Sequence, residues 1–321
     1  MTDLAWAESP LQLLSALEAR HAGLLGPVQV RVRPGSDALH ATAREVIRLG
    51  LSPKTDLIFT EKTGRTRSTG AIGDAFSGRA QAGLLLHRAP ERIVLLDDGL
   101  ATLHLLGLLC GPWKQPLVRA RARPGRLRRA FSGLAGRRLR SLAHRGRVVF
   151  FTGLPVPAPL LARARRVGIP VVSHDFAWLR SLPPAPPPER RTVVLGTSLV
   201  ANGLVEREPY LRWLEGVTAR EPVVYHPHRR ECPRVLELLR EDPAVTLVEG
   251  DLPVELSLRG LTSEHRVLSL PSTALTSLRV LHGPGGPRVE GVGVPAAWWT
   301  ERADPALRTH LSLSVLGPEF V

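Results

Sequence analysis

The stretch PVVYHPHRRE at residues 222–231 decides the fold class. Its first four residues form an apolar run that predicts a buried β-strand. Polar side chains, beginning with His226 and His228, follow at the point where that strand should end. In open α/β sheets, ligands bind outside the carboxyl ends of the strands. The stretch therefore predicts an α/β fold with a ligand site at this strand end.

Two further polar groups occupy the same kind of position later in the chain. Glu255 lies 27 residues after His228, and Ser272, followed by Thr273, lies 44 residues after it. Each stands between a strand-like run and a helical pattern. A histidine, a carboxylate and a Ser-Thr pair at successive strand ends predict a nucleotide-binding site.

Strand-like and helix-like patterns alternate from the first residues onward. A strand at 4–7 is followed by a helix that Ser9 can cap, with Pro10 in its first turn, where a missing N–H costs nothing. The alternation predicts a parallel sheet covered by helices on both faces. The segment 62–78, rich in Gly, Thr and Arg, predicts a mobile loop.

The proline-rich segment 183–191 interrupts this alternation, which restarts directly after it. Such a segment cannot continue a helix or a central strand, so it predicts an extended linker. We therefore predict two Rossmann-like, doubly wound α/β domains, residues 1–182 and 192–321, that face each other across a cleft. The last helix is expected to belong to the second domain or to pack back on the first.

The net charge of +14 is concentrated in one region of the chain. No acidic residue occurs between Asp98 and Asp175, and the segment 119–147 carries eleven arginines. A face of this kind attracts polyanions or an anionic membrane surface, although a set of solvated helix faces would also explain it. The arginines predicted to contact an anionic acceptor or a membrane are Arg126, Arg128, Arg129, Arg137, Arg138 and Arg140.

The other features of the sequence predict a cytoplasmic protein. The basic region adds peripheral attachment to the inner membrane as a further expectation. No apolar run reaches the ~18 residues of a membrane span, and no basic stretch with a cleavage site follows Met1. The two cysteines, Cys110 and Cys232, have neither metal-ligand spacing nor the pattern of a disulfide framework.

Asp97 and Asp98, followed by Gly99, stand at a predicted strand end. One aspartate is explained by capping of the next helix, but the adjacent one is not. A strand-end carboxylate that faces a cleft can act as a general base toward a hydroxyl. A metal site is less well supported, because adjacent residues on an extended chain point in opposite directions.

His226 and His228 can project to the same side of an extended chain. A protonated imidazole at His228 would suit a phosphate, although Arg229 and Arg230 would lower its pKa unless Glu231 offset them. A histidine that only stabilises a turn is the simpler interpretation.

The expected donor-binding residues open helices after strands. The Gly196-Thr197-Ser198 segment allows its backbone to approach a ligand closely, and the hydroxyls of Ser272 and Thr273 form a potential anion site. Glu255 either complements the dipole of its helix or accepts hydrogen bonds from ribose hydroxyls.

Taken in order, these landmarks resemble the bacterial sialyltransferases and the related polysialyltransferase-like families, which share an acidic pair followed by Gly, a His-Pro motif and a Ser-Ser or Ser-Thr motif. The opening Glu8, Ser9 and Gln12 also resemble the first loop of the polysialyltransferase-like group. The literal His-Pro pair is His226-Pro227, but the family's spacing fits His228 better, and there the next residue is Arg229. His228 is therefore the first choice and His226 the alternative.

The resemblance implies a GT-B fold and an inverting, metal-independent glycosyltransferase without a cofactor. It would transfer sialic acid or a related nonulosonic acid from a CMP-activated donor to a glycan hydroxyl, on an acceptor that is anionic or lipid-linked. Asp97 would be the base, with Asp98 as the alternative, and His228 would protonate or hydrogen-bond the leaving phosphate. The hydroxyls of Ser272 and Thr273 would hold that phosphate, and Glu255 would bind the ribose.

Two alternatives stay open at this point. A GT-B enzyme could use CMP-Kdo or another nucleotide sugar instead. A polyanion-binding protein would use the arginines of 119–147 as its binding surface. Few aromatic residues interleave with these arginines, and no nucleic-acid-binding motif is present. A specific nucleic-acid partner is therefore not expected.

Overall fold

The computed structural model describes residues 2–120 and 122–312. The chain divides into two compact units, Met1–Leu182 and Pro183–Val321. Each unit has its own parallel sheet and its own cluster of buried apolar side chains. Within the described ranges, no helix is long and apolar enough to cross a membrane.

The first unit contains a seven-stranded sheet with the strand order β3-β2-β1-β4-β5-β6-β7, in which all neighbours are parallel. Its strands are β1 (Asp3–Ala7), β2 (Val28–Val32), β3 (Thr55–Phe59), β4 (Thr69–Ile72), β5 (Arg92–Leu95), β6 (Val148–Thr152) and β7 (Val171–Ser173). Its helices are α1 (Pro10–His21), α2 (Asp37–Leu49), α3 (Gly78–Leu86), α4 (Leu100–Leu109), α5 (Arg126–His144), α6 (Ala158–Arg166) and α7 (Ala177–Ser181).

Local sequence explains these elements. All five residues of β6, VVFFT, are buried, as expected for a strand covered on both faces. The hydroxyl of Ser9 accepts a hydrogen bond from the Gln12 N–H at 3.4 Å, which caps α1 in front of Pro10. The strand order reverses direction between β1 and β4, and this switch point is where an open α/β sheet binds its ligands.

The prediction of a mobile loop over 62–78 was wrong for part of that segment. Its residues Thr69–Ile72 form β4, a central strand that pairs with β1 on one side and β5 on the other. The strand is short, and within it only Ala71 is fully buried, so its sequence lacks the apolar run that marks a central strand.

The second unit contains a five-stranded parallel sheet with the order β10-β9-β8-β11-β12. Its strands are β8 (Thr192–Leu195), β9 (Val223–His226), β10 (Val245–Leu247), β11 (Arg266–Ser269) and β12 (Arg288–Gly291). Its helices are α8 (Ser198–Ala201), α9 (Arg207–Thr218), α10 (Pro233–Glu241), α11 (Val254–Ser257), α12 (Thr273–His282) and α13 (Pro305–Ser312), with a 3-10 turn at Ala296–Trp298. The switch point of this sheet lies between β8 and β11.

The predicted α/β class with parallel sheets is therefore confirmed, and both strand orders are compatible with Rossmann-like domains. Residues 183–191 contain no helix or strand. In α13, Leu307 and Leu311 pack in the apolar core of the second unit. The rest of the chain end, 313–321, lies outside the described residues.

Candidate functional site

The first group of candidate residues lies at the switch point of the first unit. The loop after β1 and the loop after β5 are joined by Gln12, which is 2% exposed. Its Oε1 accepts a hydrogen bond from the Glu8 N–H at 2.8 Å, and its Nε2 donates one to Asp98 Oδ1 at 2.7 Å. The structure thus brings Gln12 and Asp98 together, although they are far apart in sequence.

Asp97 points away from this switch point and is only 3% exposed. Its Oδ1 accepts hydrogen bonds from the Gly99 N–H and the Thr102 hydroxyl, at 3.1 and 2.9 Å. Its Oδ2 accepts them from the Thr152 hydroxyl and the Gly153 N–H, at 2.8 and 2.9 Å. Burial raises the pKa of Asp97, and these four donors oppose the shift. Asp97 therefore holds the ends of β5 and β6 together.

Asp98 faces the switch point, as the alternation of an extended chain requires. Its Oδ2 accepts a hydrogen bond from Arg119 at 2.8 Å, and the same guanidinium nitrogen reaches Asp74 Oδ2 at 2.9 Å. Burial raises the pKa of Asp98, and the nearby charge of Asp74 adds to that rise, while Gln12 and Arg119 lower it. Burial raises the pKa of both aspartates, but the Asp98 side chain is 16% exposed, whereas Asp97 is enclosed by its four donors. Asp98 is therefore better placed than Asp97 to accept a proton from a substrate.

Gly99 makes the turn between these aspartates and α4 possible. Its φ of +66° lies in the left-handed region, which a residue with a Cβ adopts only at a cost. Helix α4 has no side-chain cap at Gly99, so the simple capping explanation does not apply to either aspartate.

The other first-loop residues have local roles. The Glu8 carboxylate accepts a hydrogen bond from Trp6 Nε1 at 2.7 Å and pairs with Arg33 at 3.1 Å. Ser9 caps α1. These two residues shape the loop, whereas Gln12 reaches the candidate base.

The second group of candidate residues lies at the carboxyl ends of β8 and β9, in the second unit. Gly196 directly follows β8, and a Cβ placed there would overlap Glu231 Oε2 and approach the His228 backbone nitrogen to 2.7 Å. Close approach of these loops therefore requires glycine. The next residue, Thr197, caps α8 by accepting from the Leu199 N–H at 3.1 Å, and Ser198 is half-buried.

Glu231 organises this second group, a role that the sequence did not reveal. It is buried, and its Oε2 accepts hydrogen bonds from the Thr197 N–H at 2.8 Å, the Tyr225 hydroxyl at 3.0 Å and the His228 N–H at 3.3 Å. Burial raises the pKa of Glu231 above its ordinary value. Two features of the sequence could have indicated this role. One is the carboxylate at the end of the 222–231 stretch, and the other is Gly196, which directly follows a predicted strand.

His228 lies half-buried in the loop after β9. Its Nδ1 accepts a hydrogen bond from the Arg230 N–H at 3.0 Å, so the neutral ring carries its proton on Nε2. Burial and the charges of Arg229 and Arg230 lower the pKa of His228 to about 4. The ring is therefore neutral at pH 7 and can donate an Nε2–H hydrogen bond, so the protonated imidazole considered from the sequence does not fit.

His226 has a different environment as the last residue of β9. It is 5% exposed, and its Nε2 lies 2.8 Å from the Ser257 hydroxyl of α11. Burial lowers its pKa. Glu255, on the same short helix, is also buried. This geometry favours His228 over His226 as the more accessible histidine.

Ser272 and Thr273 are half-buried at the start of α12, next to the switch point of the second sheet. The Ser272 hydroxyl accepts a hydrogen bond from the Ala274 N–H at 3.2 Å, so it caps the helix. Thr273 is the first residue of the helix. Binding of an anion by either hydroxyl stays a prediction.

The arginines predicted to contact a partner differ in burial and fall into three kinds. Arg126, Arg129 and Arg137 are exposed on α5, and Arg128 and Arg138 are half-buried. Arg140 is a correction to that group, because its side chain is 1% exposed. Its guanidinium donates to the carbonyls of Leu108, Trp113 and Gln115 at 2.8–3.2 Å, so it stabilises the segment that follows α4.

Among the residues that the structure describes, no group of three or more His, Cys, Asp and Glu side chains could hold a metal ion. The metal requirement of any reaction stays a prediction. Neither a protein-family model nor a curated protein sequence matches this chain.

Proposed function

We propose that this chain is an inverting glycosyltransferase of the sialyltransferase-like kind, with its two units arranged as a GT-B fold. The donor would be a CMP-activated sialic acid or related nonulosonic acid, and the acceptor a glycan hydroxyl. The observation that carries the proposal is Asp98: a partly desolvated carboxylate with a raised pKa, held by Gln12 at the switch point of a parallel sheet.

In this mechanism Asp98 accepts the proton of the acceptor hydroxyl as its oxygen attacks the anomeric carbon. The bond between that carbon and the phosphate oxygen of CMP breaks on the opposite face, which inverts the configuration. The Nε2–H of His228 and the hydroxyls of Ser272 and Thr273 would stabilise the charge that develops on the departing phosphate. The backbone around Gly196 would approach the nucleotide, and Glu255 would hold its ribose.

The exposed arginines of α5 support an anionic or lipid-linked acceptor. Arg126, Arg129 and Arg137 lie on one helix and carry no ion pair within the described residues. A polyanion, or an anionic membrane that carries the acceptor, would neutralise them. The proposed enzyme would then work in the cytoplasm, at the inner surface of the membrane.

A thermal-shift panel with CMP, CDP, UDP, GDP and ADP tests the donor class, because a ligand that binds only the native state raises the melting temperature. We expect a selective shift with CMP. A shift only with a nucleoside diphosphate would favour a different nucleotide-sugar transferase. No shift with any nucleotide would leave the polyanion-binding alternative.

The donor sugar is then tested by incubation with CMP-sialic acid and CMP-Kdo. Water takes the place of the glycan acceptor, and the released CMP is the readout. Loss of CMP release in Asp98→Asn, with CMP binding retained, would support the role of Asp98 as base. Release that persists in this variant would contradict it.

A further inference from the structure

The first unit also presents arginines at the amino-terminal ends of its strands, whereas Asp98 follows the carboxyl end of β5. They line a basin of about 720 Å³ at the amino-terminal ends of β4, β5 and β6. We name it the arginine basin. Its five arginines are Arg67, Arg88, Arg138, Arg145 and Arg147, and the other lining residues are Thr66, Ala89, Glu91, Ser141 and Leu142.

The charges of the arginine basin are not balanced from within. None of its five arginines forms an ion pair in the described part of the chain, and Glu91 is the one acidic residue among those that line it. Arg138 and Arg147 are held in place by backbone carbonyls, including His87 O at 2.7 Å. Arg67 and Arg88 are exposed at the rim. The basin therefore combines guanidinium groups that are fixed by backbone carbonyls with guanidinium groups that are exposed to solvent.

An apolar cavity adjoins this basin. It measures about 90 Å³, lies between the sheet and α3, and shares Thr66, Arg88 and Ala89 with the basin. Its walls include the side chains of Leu4, Trp6, Ile72, Leu84 and Ile93. For comparison, an apolar cavity of about 150 Å³ is large enough to bind benzene. The present cavity is smaller than that, so it can receive only the last few carbons of a hydrocarbon chain.

We propose that the arginine basin and the adjoining cavity form one binding site for an amphiphilic phosphate, such as an alkyl or prenyl phosphate. The phosphate would lie among the arginines, whose guanidinium groups match its oxygens. The terminal carbons of its chain would enter the cavity past Arg88, and the rest of the chain would lie in the basin. A free phosphate would satisfy the charges but would leave the apolar walls without a ligand. This site goes beyond the proposed transfer reaction and does not rest on it.

Isothermal titration with n-octyl phosphate below its micelle concentration tests the site directly. We expect it to bind at least tenfold more tightly than inorganic phosphate, which lacks the chain. It should also bind at least tenfold more tightly than octyltrimethylammonium, which has the same chain and the opposite charge. Equal affinity for octyl phosphate and inorganic phosphate would overturn the role of the cavity, and binding of the cation would overturn the role of the arginines.

Two variants separate the halves of the site. The double variant Arg67→Ala/Arg88→Ala should weaken octyl phosphate at least tenfold, while Arg212→Ala, an exposed arginine of α9, should not. Gly83→Leu should fill the cavity from α3, because a Cβ there meets nothing closer than Thr63 at 3.6 Å.

Gly83→Leu should reduce the affinity for octyl phosphate to that for inorganic phosphate without changing the latter. The matched control is Gly216→Leu, a helical position in the second unit with open space around it. If Gly83→Leu and Gly216→Leu both bind octyl phosphate as the parent does, the proposal is wrong.

The source of the amphiphile is tested with vesicles of phosphatidylcholine that contain 20% phosphatidic acid. Sedimentation with these vesicles that is lost in Gly83→Leu would identify a bilayer lipid as the source. Binding of monomeric octyl phosphate without such sedimentation would identify a soluble amphiphile. Failure of both would overturn the proposal, while CMP binding would remain a separate test of the transferase activity.

Discussion

The aspartate pair gives the sharpest test, because its two members have opposite surroundings. Asp97→Asn and Asp98→Asn make the same chemical change at adjacent positions. The first replaces a carboxylate that accepts four hydrogen bonds between β5 and β6. The second replaces one held by Gln12 and Arg119 at the switch point. We expect Asp97→Asn to affect stability and Asp98→Asn to affect catalysis.

The magnitude for Asp97→Asn follows from its donors. Asparagine keeps one oxygen and places an NH2 group opposite two of the donors. The Thr152 hydroxyl can rotate to accept a hydrogen bond, but the Gly153 N–H loses its acceptor. A buried group left unsatisfied costs about 1–3 kcal/mol. The free energy of unfolding should fall by about 2 kcal/mol, which lowers the melting temperature by about 4–8 °C for a unit of this size.

Asp98→Asn should change stability by less than about 1 kcal/mol, because its ion-pair partner Arg119 is half exposed and keeps Asp74 as a partner. Removal of a general base lowers the rate of transfer by about 10²–10⁴-fold. The assays are urea unfolding and release of CMP from CMP-sialic acid, with the exposed Asp56→Asn as control. In the parent, the transfer rate should fall as the pH is lowered. Because the pKa of Asp98 is raised, this fall should begin at a higher pH than for an ordinary aspartate.

Two results would refute this division of roles. One is an Asp98→Asn protein with the transfer rate of the parent. The other is an Asp97→Asn protein that unfolds like the parent but has lost transfer, which would make Asp97 the base.

Gly196→Ala should lower the free energy of unfolding by about 1–3 kcal/mol, because the added methyl group overlaps a buried carboxylate oxygen; Gly216→Ala, with open space around it, should stabilise its helix by about 0.5–1 kcal/mol. Equal urea midpoints for the two variants would contradict the close packing. His228 has a folded pKa of about 4, below its ordinary value, so its neutral form is favoured by folding. Its contribution to stability is present above the unfolded pKa of about 6.5 and is lost as the pH falls toward 4. His228→Gln should therefore lose less stability than the parent between pH 7 and pH 4.5 in urea titrations, and an unchanged loss would count against the shift. Arg140→Met should destabilise by about 1–3 kcal/mol through unsatisfied carbonyls, whereas the exposed Arg137→Met should stay within about 0.5 kcal/mol; calorimetry that finds equal melting temperatures would disprove the structural role of Arg140.

The elements with a strong local pattern could be predicted from the sequence. The runs 148–152 and 192–195 are wholly apolar or β-branched, and each is a buried strand. The helix that opens at Pro10 has a hydroxyl cap in front of it. In contrast, β4 and β12 were not predicted. The central strand β4 contains mostly small residues and the edge strand β12 contains two charged ones, so neither has an apolar pattern that marks a strand.

Sequence by itself determined the α/β class, the parallel sheets and the positions of polar groups at strand ends, because these depend on residue types a few positions apart. Only the tertiary structure separated Asp97 from Asp98 and buried Arg140 within its own unit. Only the structure made Glu231 the acceptor that joins two loops. These outcomes depend on partners tens of residues away, such as Thr152 for Asp97, and the hydrogen bonds and burial that such contacts create have no local pattern in the chain.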